Sequence, residues 1–280
     1  MCVLLEQGPT KACLVHLTSR WVRKIPFWVN LMIKMNDKLD ICSFANGIKI
    51  YRSDVSPEQA KRYKLTSPLF HEPTEEKWFE RIFDYIERDV LSDSPPTFLD
   101  IGSALGYYSI LFKHRFPEAN LIAVDPNPHF QERMLETFRL NSLSADDYTK
   151  IPCAVFPYGD QVVFADRGFG SYISHGEAIG EGRTLDTIIV DVCRLRSIFD
   201  SVEGHIDLVK MDIQGAEQAI FNQNIDLVDS GKVRHWIIGT HGPNIHNSIL
   251  DHLSRRHKII YENATPKDQI DGIIVASFEI

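Results

Sequence analysis

Short apolar runs and amphipathic segments alternate along most of this chain. The apolar runs are rich in β-forming residues and lie at 98–102, 121–125, 150–156, 207–212 and 235–240. Segments with the spacing of amphipathic helices lie between or after them, at 107–115, 130–141, 216–221 and 245–256. Strands that are apolar throughout and alternate with helices are typical of a parallel sheet covered on both faces. The pattern therefore predicts an α/β fold.

The C-terminal part departs from this alternation. Two further apolar runs, 258–263 and 272–280, are separated by a polar loop that holds Pro266. Because no helical pattern separates them, we expect an antiparallel hairpin, which brings the predicted sheet to seven strands. A dinucleotide-binding fold differs from this arrangement, since its last strands stay parallel.

Three patterns precede the first sheet strand. Residues 1–37 are rich in basic and aromatic side chains, which is typical of an arm that covers its own domain, a second subunit, a membrane or an acidic partner. Apolar and polar residues alternate over 39–52 on both sides of Asn46-Gly47, which predicts a β-hairpin. Residues 75–90 have helical spacing. We therefore predict an N-terminal extension over 1–96 and a main domain over 97–280.

An insertion is predicted at about 157–199, between the third and fourth sheet strands. The segments VVFAD, GFGSYIS and RTLDTIIVDV in this region contain more residues than a crossover helix needs. Long insertions next to the strand ends commonly form part of a site. We expect a small β-rich unit that contributes to substrate selection.

Composition narrows the class of partner. The 280 residues carry a net charge of -8, which disfavours nucleic acid and anionic membranes as partners of the whole molecule. The five cysteines are odd in number and lack C-x-x-C spacing, which favours a reducing, cytoplasmic location. Neither a signal peptide nor a transmembrane segment is expected. Whether the protein forms a homo-oligomer stays open.

A glycine loop, Asp100-Ile-Gly102-Ser-Ala-Leu-Gly106, lies between a predicted strand and a predicted helix. Ligands of open α/β sheets bind beyond such strand ends. Ala104 stands where the fingerprint of a nicotinamide-dependent dehydrogenase has glycine, and the preceding Asp100 suits an ammonium group. Asp125 ends the next strand, where a carboxylate can accept hydrogen bonds from ribose hydroxyls. Ala104 and Asp100 favour S-adenosylmethionine over a dinucleotide, whereas Asp125 suits the ribose of either ligand.

A third motif, Lys210-Met-Asp212-Ile-Gln214-Gly-Ala-Glu217, ends the fourth sheet strand. Together with DIGSALGYYS and AVDPNP, it resembles the FkbM family of S-adenosylmethionine-dependent methyltransferases over roughly residues 72–278. The resemblance implies a class I methyltransferase (Rossmann-like) fold with strand order 3-2-1-4-5-7-6. It also implies O-methyl transfer, most often to a hydroxyl of a sugar, glycoside or small natural product.

The resemblance also implies roles for individual residues. Those placed around the cofactor are Asp100, Gly102, Ser103, Gly106, Tyr107 and Ser109 at the methionine part, and Asp125 and Asn127 near the ribose and adenine. Asp212 and Glu217 are expected near the transferred methyl group. This chain departs from the family pattern at two places. Gln214 replaces a second acid, and Gly239-Thr240-His241 keeps the histidine of an E-x-H pattern without its acid.

His241, in a loop after the fifth strand, is the leading candidate for a general base. The pKa of a histidine lies close to neutral pH, so a neutral imidazole can take the proton of a hydroxyl acceptor. Structural readings stay open for three residues: Asp125 as a helix cap before Pro126, His241 as a loop histidine with a structural hydrogen bond, and Glu217 as a carboxylate in the first turn of a helix.

Several alternatives remain at this point. The acceptor can be a small amine instead of a hydroxyl, or the chain can be a non-catalytic cofactor-binding partner module. A divalent ion held by Asp212 with other carboxylates can replace the histidine base, although the sequence offers no clear ligand set. A zinc site is not expected, because the remaining C-terminal histidines lack the spacing of a compact ligand set and no cysteine joins them. These histidines are His235, His246, His252 and His257.

Overall fold

The computed structural model describes residues 40–63, 69–89, 94–165, 170–173 and 187–278. The predicted basic arm at 1–37 lies outside the described residues, so its role stays a prediction. None of the helices in the described part is both long and apolar enough to cross a membrane.

The described strands and helices follow the predicted alternation. The strands are β1 (Ile41–Ser43), β2 (Lys49–Tyr51), β3 (Thr97–Ile101), β4 (Asn120–Val124), β5 (Thr149–Ile151), β6 (Ala154–Val155), β7 (Gln161–Ala165), β8 (Tyr172–Ile173), β9 (Thr187–Cys193), β10 (Ile206–Met211), β11 (Val233–Thr240), β12 (His257–Asn263) and β13 (Gly272–Phe278). The α-helices are α1 (Pro57–Tyr63), α2 (Pro73–Asp89), α3 (Tyr107–Arg115), α4 (Pro128–Leu140), α5 (Leu195–Asp200), α6 (Glu217–Gln223), α7 (Ile225–Val228) and α8 (Pro243–Leu253). Two short 3-10 helices lie at Arg52–Asp54 and Ala145–Asp147.

A seven-stranded sheet with the order β5-β4-β3-β10-β11-β13-β12 forms the centre of the fold. The five strands from β5 to β11 are parallel, and β13 runs antiparallel to both β11 and β12. Counted along the chain within this sheet, the order is 3-2-1-4-5-7-6. The class I methyltransferase fold and its C-terminal hairpin are therefore confirmed.

Side chains of consecutive strand residues enter two different hydrophobic cores. Phe98 of β3 belongs to one core with α2 and α3, whereas Leu99 belongs to the other with α5, α6 and α8. Because successive strand side chains point to opposite faces, these cores lie on the two sides of the sheet. On the first side, α2 packs Phe79 and Phe83 against the sheet and α3. The described part of the N-terminal extension thus builds one face of the main core.

The predicted third strand at 150–156 is wrong as a single element. Its first part is β5 in the central sheet, and its second part is β6 in a separate four-stranded sheet of order β6-β9-β7-β8. Pro152 lies at the break, where its missing N–H cannot continue a strand ladder. The insertion is β-rich as expected, but its strands end at Cys193, and α5 then returns to the main core.

One feature of the insertion was not anticipated from the cysteine pattern. Cys153 and Cys193 form a disulfide that joins the start of the small sheet to its long strand β9. The two residues are 40 positions apart, so their spacing contains no local pairing signal. Cys42 is a buried free thiol.

Candidate active site

A cavity of about 360 Å³ opens at the carboxyl ends of β3, β4 and β10, where open α/β sheets bind their ligands. Among the residues predicted to surround the cofactor, those that line it are Asp100, Gly102, Ser103, Tyr107 and Asp125. Gly106, Ser109 and Asn127 belong instead to the layer that supports this wall. The small sheet and the N-terminal extension complete the cavity through residues such as Phe164 and His71.

The two glycines of the loop are required by chain packing. Gly102 has a φ of +83°, and a Cβ there would lie 1.9 Å from the backbone oxygen of Asp212. Gly106 has a φ of +77°, and its Cβ would lie 2.6 Å from Cε2 of Phe138. Residues other than glycine rarely adopt such φ values. Gly106, which was predicted to lie at the methionine part of the cofactor, packs closely against α4.

Asp100 is buried and only partly hydrogen-bonded. Its Oδ2 accepts a hydrogen bond of 2.7 Å from Ser109 Oγ, while its Oδ1 has no partner among the described residues. Burial raises the pKa of Asp100, against the opposing charge of Lys210. Ser103 Oγ is also buried without a partner in the described structure. Buried polar atoms in a cavity wall that lack partners indicate groups that can bind a ligand.

Asp125 connects the glycine loop to the end of β4. Its Oδ2 accepts a hydrogen bond from the backbone N–H of Ala104 at 2.9 Å, and its Oδ1 accepts one from Asn127 at 2.8 Å. Asn127 in turn caps α4 by accepting from the N–H of His129 at 3.0 Å. Asn127 is therefore a helix cap, and Asp125 is the residue of this pair that reaches the cavity.

His241 is surrounded by carboxylates. Its Nδ1 lies 2.8 Å from Oε1 of Glu217, and its Nε2 lies 3.4 Å from Oδ1 of Asp212 and 3.2 Å from Oδ1 of Asp271. Asp212 and Asp271 line the cavity, while His241 and Glu217 lie in the layer behind them. The structure thus brings the three predicted catalytic residues together and adds Asp271.

The charge of His241 does not fit the predicted neutral base. Burial lowers the pKa of His241, but the hydrogen bond with Glu217 and the charges of Asp212, Glu217 and Asp271 outweigh burial and raise it to about 9. At neutral pH the ring is therefore an imidazolium, in which both nitrogens are donors. A group that already carries its proton cannot accept another from the methyl acceptor.

The two cavity-wall carboxylates beside His241, Asp212 and Asp271, differ in acidity. Burial raises the pKa of Asp212, but Lys210 and His241 outweigh burial and hold it below the ordinary value. Burial and the charge of Asp212 raise the pKa of Asp271 to about 6, although His241 opposes them. Asp271 is therefore the better proton acceptor of the two near neutral pH.

Sequence reasoning missed Asp271, although the hairpin register contains a signal for it. Thr240 of β11 pairs with Gly272 of β13. The residues next to this pair, His241 and Asp271, therefore emerge from neighbouring antiparallel strands at the same edge of the sheet. An acid directly before the last strand was the available signal.

Glu217 holds the loop between β10 and α6. Its side chain is fully buried, and its Oε1 accepts hydrogen bonds from the N–H groups of Ile213 at 3.1 Å and Gly215 at 3.2 Å. Gln214, between them, has a left-handed φ of 56°. These contacts favour a structural role for Glu217 that fixes the loop and orients His241.

The described residues contain one set of carboxylate and imidazole groups close enough to be considered as metal ligands: Asp212, Glu217 and His241. Glu217 contacts Nδ1 and Asp212 approaches Nε2, which lie on opposite sides of the ring. One ligand atom of each residue nevertheless lies within 4.8 Å of the others, although the contacts made in this structure are those of an ion-pair cluster. The other C-terminal histidines have separate neighbours: Ser277 for His235, Thr240 and Glu262 for His246, Asp229 for His252 and Phe278 for His257.

The N-terminal extension contributes polar residues that sequence reasoning did not place in the site. His71 lines the cavity, and its Nδ1 makes a short hydrogen bond with the hydroxyl of Tyr63. Burial lowers the pKa of His71. Glu72 accepts a hydrogen bond from the hydroxyl of Tyr108 at 2.8 Å. Both residues belong to the HEPTEE segment, whose cluster of acids at the start of a helix was the signal.

Comparison with solved structures finds similar folds at low sequence identity. An FkbM methyltransferase from Methylobacillus flagellatus KT is similar over 69% of this chain and 46% of that chain, with 14% identity and a TM-score of 0.46. This chain therefore spans less than half the length of that protein. The N-terminal domain of human METTL16 in complex with SAH is similar over 95% of this chain and 99% of that chain, with 12% identity and a TM-score of 0.49. TrmK from M. capricolum in complex with S-adenosyl-homocysteine is similar over 72% of this chain and 67% of that chain, with 15% identity and a TM-score of 0.41.

The comparison with curated proteins gives no match. The family model of the methyltransferase FkbM domain matches residues 100–260, which is more than half of the chain. This range begins at Asp100 in the cavity wall and includes Asp125, Asp212 and His241. The chain therefore belongs to the FkbM family of S-adenosylmethionine-dependent methyltransferases.

Proposed function

We propose that this enzyme transfers a methyl group to a hydroxyl of a sugar, glycoside or other small natural product. The observation that carries the proposal is Asp271 in the cavity wall, whose pKa of about 6 results from burial and from the charge of Asp212. At neutral pH most of this carboxylate is ionised and can accept a proton from a hydroxyl. A hydroxyl acceptor needs such a group because its oxygen loses a proton during transfer.

The cofactor, when bound, supplies a methyl group on a positively charged sulfur that an oxygen nucleophile can attack. Of this chain's residues, Asp100 would accept hydrogen bonds from the ammonium group through its free Oδ1. Asp125 would accept them from the ribose hydroxyls. The carboxylate-rich wall, in which Lys210 already pairs with Asp212 and Glu75, suits a ligand that carries positive charge.

The acceptor would meet two carboxylates held by one imidazolium. Nε2 of His241 lies within 3.4 Å of both Asp212 and Asp271, so the positive charge of the ring favours the ionised forms of both groups. We expect Asp212 to orient the acceptor and Asp271 to take its proton. The Asp271 side chain is 21% exposed, so the proton can then leave to solvent. The net charge of -8 favours a small or carbohydrate acceptor over a nucleic acid.

The test is methyl transfer from labelled S-adenosylmethionine to a panel of sugars, glycosides and small alcohols, with Asp271→Asn as the variant. This change keeps the shape of the side chain and removes its ability to accept a proton. We expect kcat to fall by about 10²- to 10⁴-fold, while the Kd for S-adenosylhomocysteine stays within about twofold. Asp251→Asn, an exposed change on α8, is the matched control and should retain full activity.

The same variant separates hydroxyl from amine acceptors. A neutral amine attacks before it loses a proton, so Asp271→Asn would keep most of its activity toward an amine. Full activity of the variant on the best acceptor would therefore contradict the hydroxyl proposal. Cofactor binding without turnover on any acceptor would support a non-catalytic partner module instead.

A further inference from the structure

Arg62 lines the cavity without a hydrogen-bond or ion-pair partner among the described residues. It lies on α1, lines the cavity, and has a buried Nε that makes no hydrogen bond in the described structure. None of the ion pairs among the described residues involves Arg62. Lys210, another basic residue of the cavity wall, differs because Asp212 and Glu75 lie 3.3 Å and 3.7 Å from its Nζ.

A guanidinium whose buried Nε has no acceptor in the described structure needs an explanation. Arginine keeps its proton in proteins, so its charge cannot be removed as that of a lysine or histidine can. Leaving a buried donor without an acceptor costs free energy. Carboxylates such as Glu72 and Asp271 line the same cavity, yet neither forms an ion pair with Arg62 in the described structure. A partner that arrives with the ligand would satisfy both the charge and the donor.

We infer that Arg62 binds a carboxylate group of a ligand in this cavity. Guanidinium N–H groups match a carboxylate in geometry and charge. Two ligands can supply this group: S-adenosylmethionine through its methionine part, or an acceptor that carries an acid, such as a uronic acid. The first source rests on the family's cofactor, and the second rests on the hydroxyl transfer proposed above.

The experiment compares Arg62→Gln with the wild-type protein by calorimetric titration. One ligand is S-adenosylhomocysteine, and the other is 5′-methylthioadenosine, which keeps the nucleoside and the sulfur but lacks the amino acid. If the carboxylate belongs to the cofactor, the Kd for S-adenosylhomocysteine rises by about 10- to 100-fold. The Kd for 5′-methylthioadenosine then stays within about twofold. Lys61→Gln, an exposed change on the same helix, should alter neither value.

A second experiment tests whether the acceptor is the source of the carboxylate. With S-adenosylhomocysteine saturating, the wild-type protein is titrated with glucuronate and with glucose. If the acceptor supplies the carboxylate, wild type binds glucuronate more tightly than glucose, and Arg62→Gln removes that preference while cofactor affinity is unchanged.

Two results would overturn the inference. One is an unchanged affinity for S-adenosylhomocysteine together with no preference for glucuronate in the wild-type protein. The other is an equal loss of affinity for both nucleosides, which would show general damage to the cavity. Neither result depends on turnover, so failure of the hydroxyl proposal in the methyl-transfer assay leaves the cofactor arm intact.

Discussion

His241 and Asp271 face each other across two antiparallel strands, with Nε2 and Oδ1 3.2 Å apart. Their pKa values are raised together, but for different reasons. Burial lowers the pKa of His241, and Glu217 and the neighbouring carboxylates bring it up to about 9. Burial and Asp212 raise the pKa of Asp271 to about 6. Between these values the pair consists of a protonated imidazole and an ionised carboxylate, which is the form expected to act in methyl transfer.

The pH dependence of kcat should therefore be bell-shaped. Activity is expected to rise as Asp271 loses its proton near pH 6 and to fall as His241 loses its proton near pH 9. In His241→Gln, which has no charge to lose, the alkaline limb should disappear. The acid limb should move to higher pH, because the positive charge that opposes the rise in the pKa of Asp271 is gone. A His241→Gln profile that matches wild type would contradict the assignment.

Glu217→Gln should change the same profile by a different route. The variant can still accept backbone hydrogen bonds, so the loop at Ile213 and Gly215 should persist. Loss of the negative charge removes a cause of the raised pKa of His241. We expect the alkaline limb of the kcat profile to move below pH 9, while the Kd for S-adenosylhomocysteine changes little. A purely structural role would leave the position of this limb unchanged.

Folding stability should also depend on the charge of His241. Its pKa is higher in the folded protein than the ordinary value of 6.5, so the protonated form stabilises the fold. That contribution is fully present below about pH 6.5 and is lost as the pH rises through about 9. The difference in unfolding free energy between wild type and His241→Gln should shrink by up to about 3 kcal/mol over this range. Urea denaturation at several pH values measures it, and a difference that does not vary with pH would count against a charged His241.

Gly102→Ala should be strongly destabilising. The added Cβ would lie 1.9 Å from the backbone oxygen of Asp212, and the φ of +83° disfavours alanine. We expect a loss of about 3 kcal/mol or more in unfolding free energy, with lower cofactor affinity in the folded fraction. Gly204→Ala is the control, since Gly204 has a φ of +70° but no atom within 4 Å of a Cβ. Its cost should be about 1 kcal/mol. Equal losses for the two variants would show that the contact with Asp212 is unimportant.

Much of the sheet follows from sequence alone because its signals are local. The central strands are mostly apolar runs such as 121–124, and both faces of the sheet are buried. The glycine loop could also be located, since a strand, a run of small residues and a helix follow one another directly. The split of 150–156 between two sheets could not be predicted, because strand partners for Ala154 come from β9, far along the chain.

By itself, the sequence determined the α/β class and the antiparallel C-terminal hairpin, and its resemblance to the FkbM family predicted the cofactor. It also predicted site roles for Asp100, Asp125, Asp212 and His241. Tertiary structure decided which of the predicted side chains reach the cavity and whether His241 is protonated at neutral pH. Those outcomes depend on groups distant in sequence: Glu217 sets the charge of His241 from 24 residues away, and Asp271 reaches the site through the register of β13. Burial and Coulomb interactions act over distances in space, and only the folded chain defines those distances.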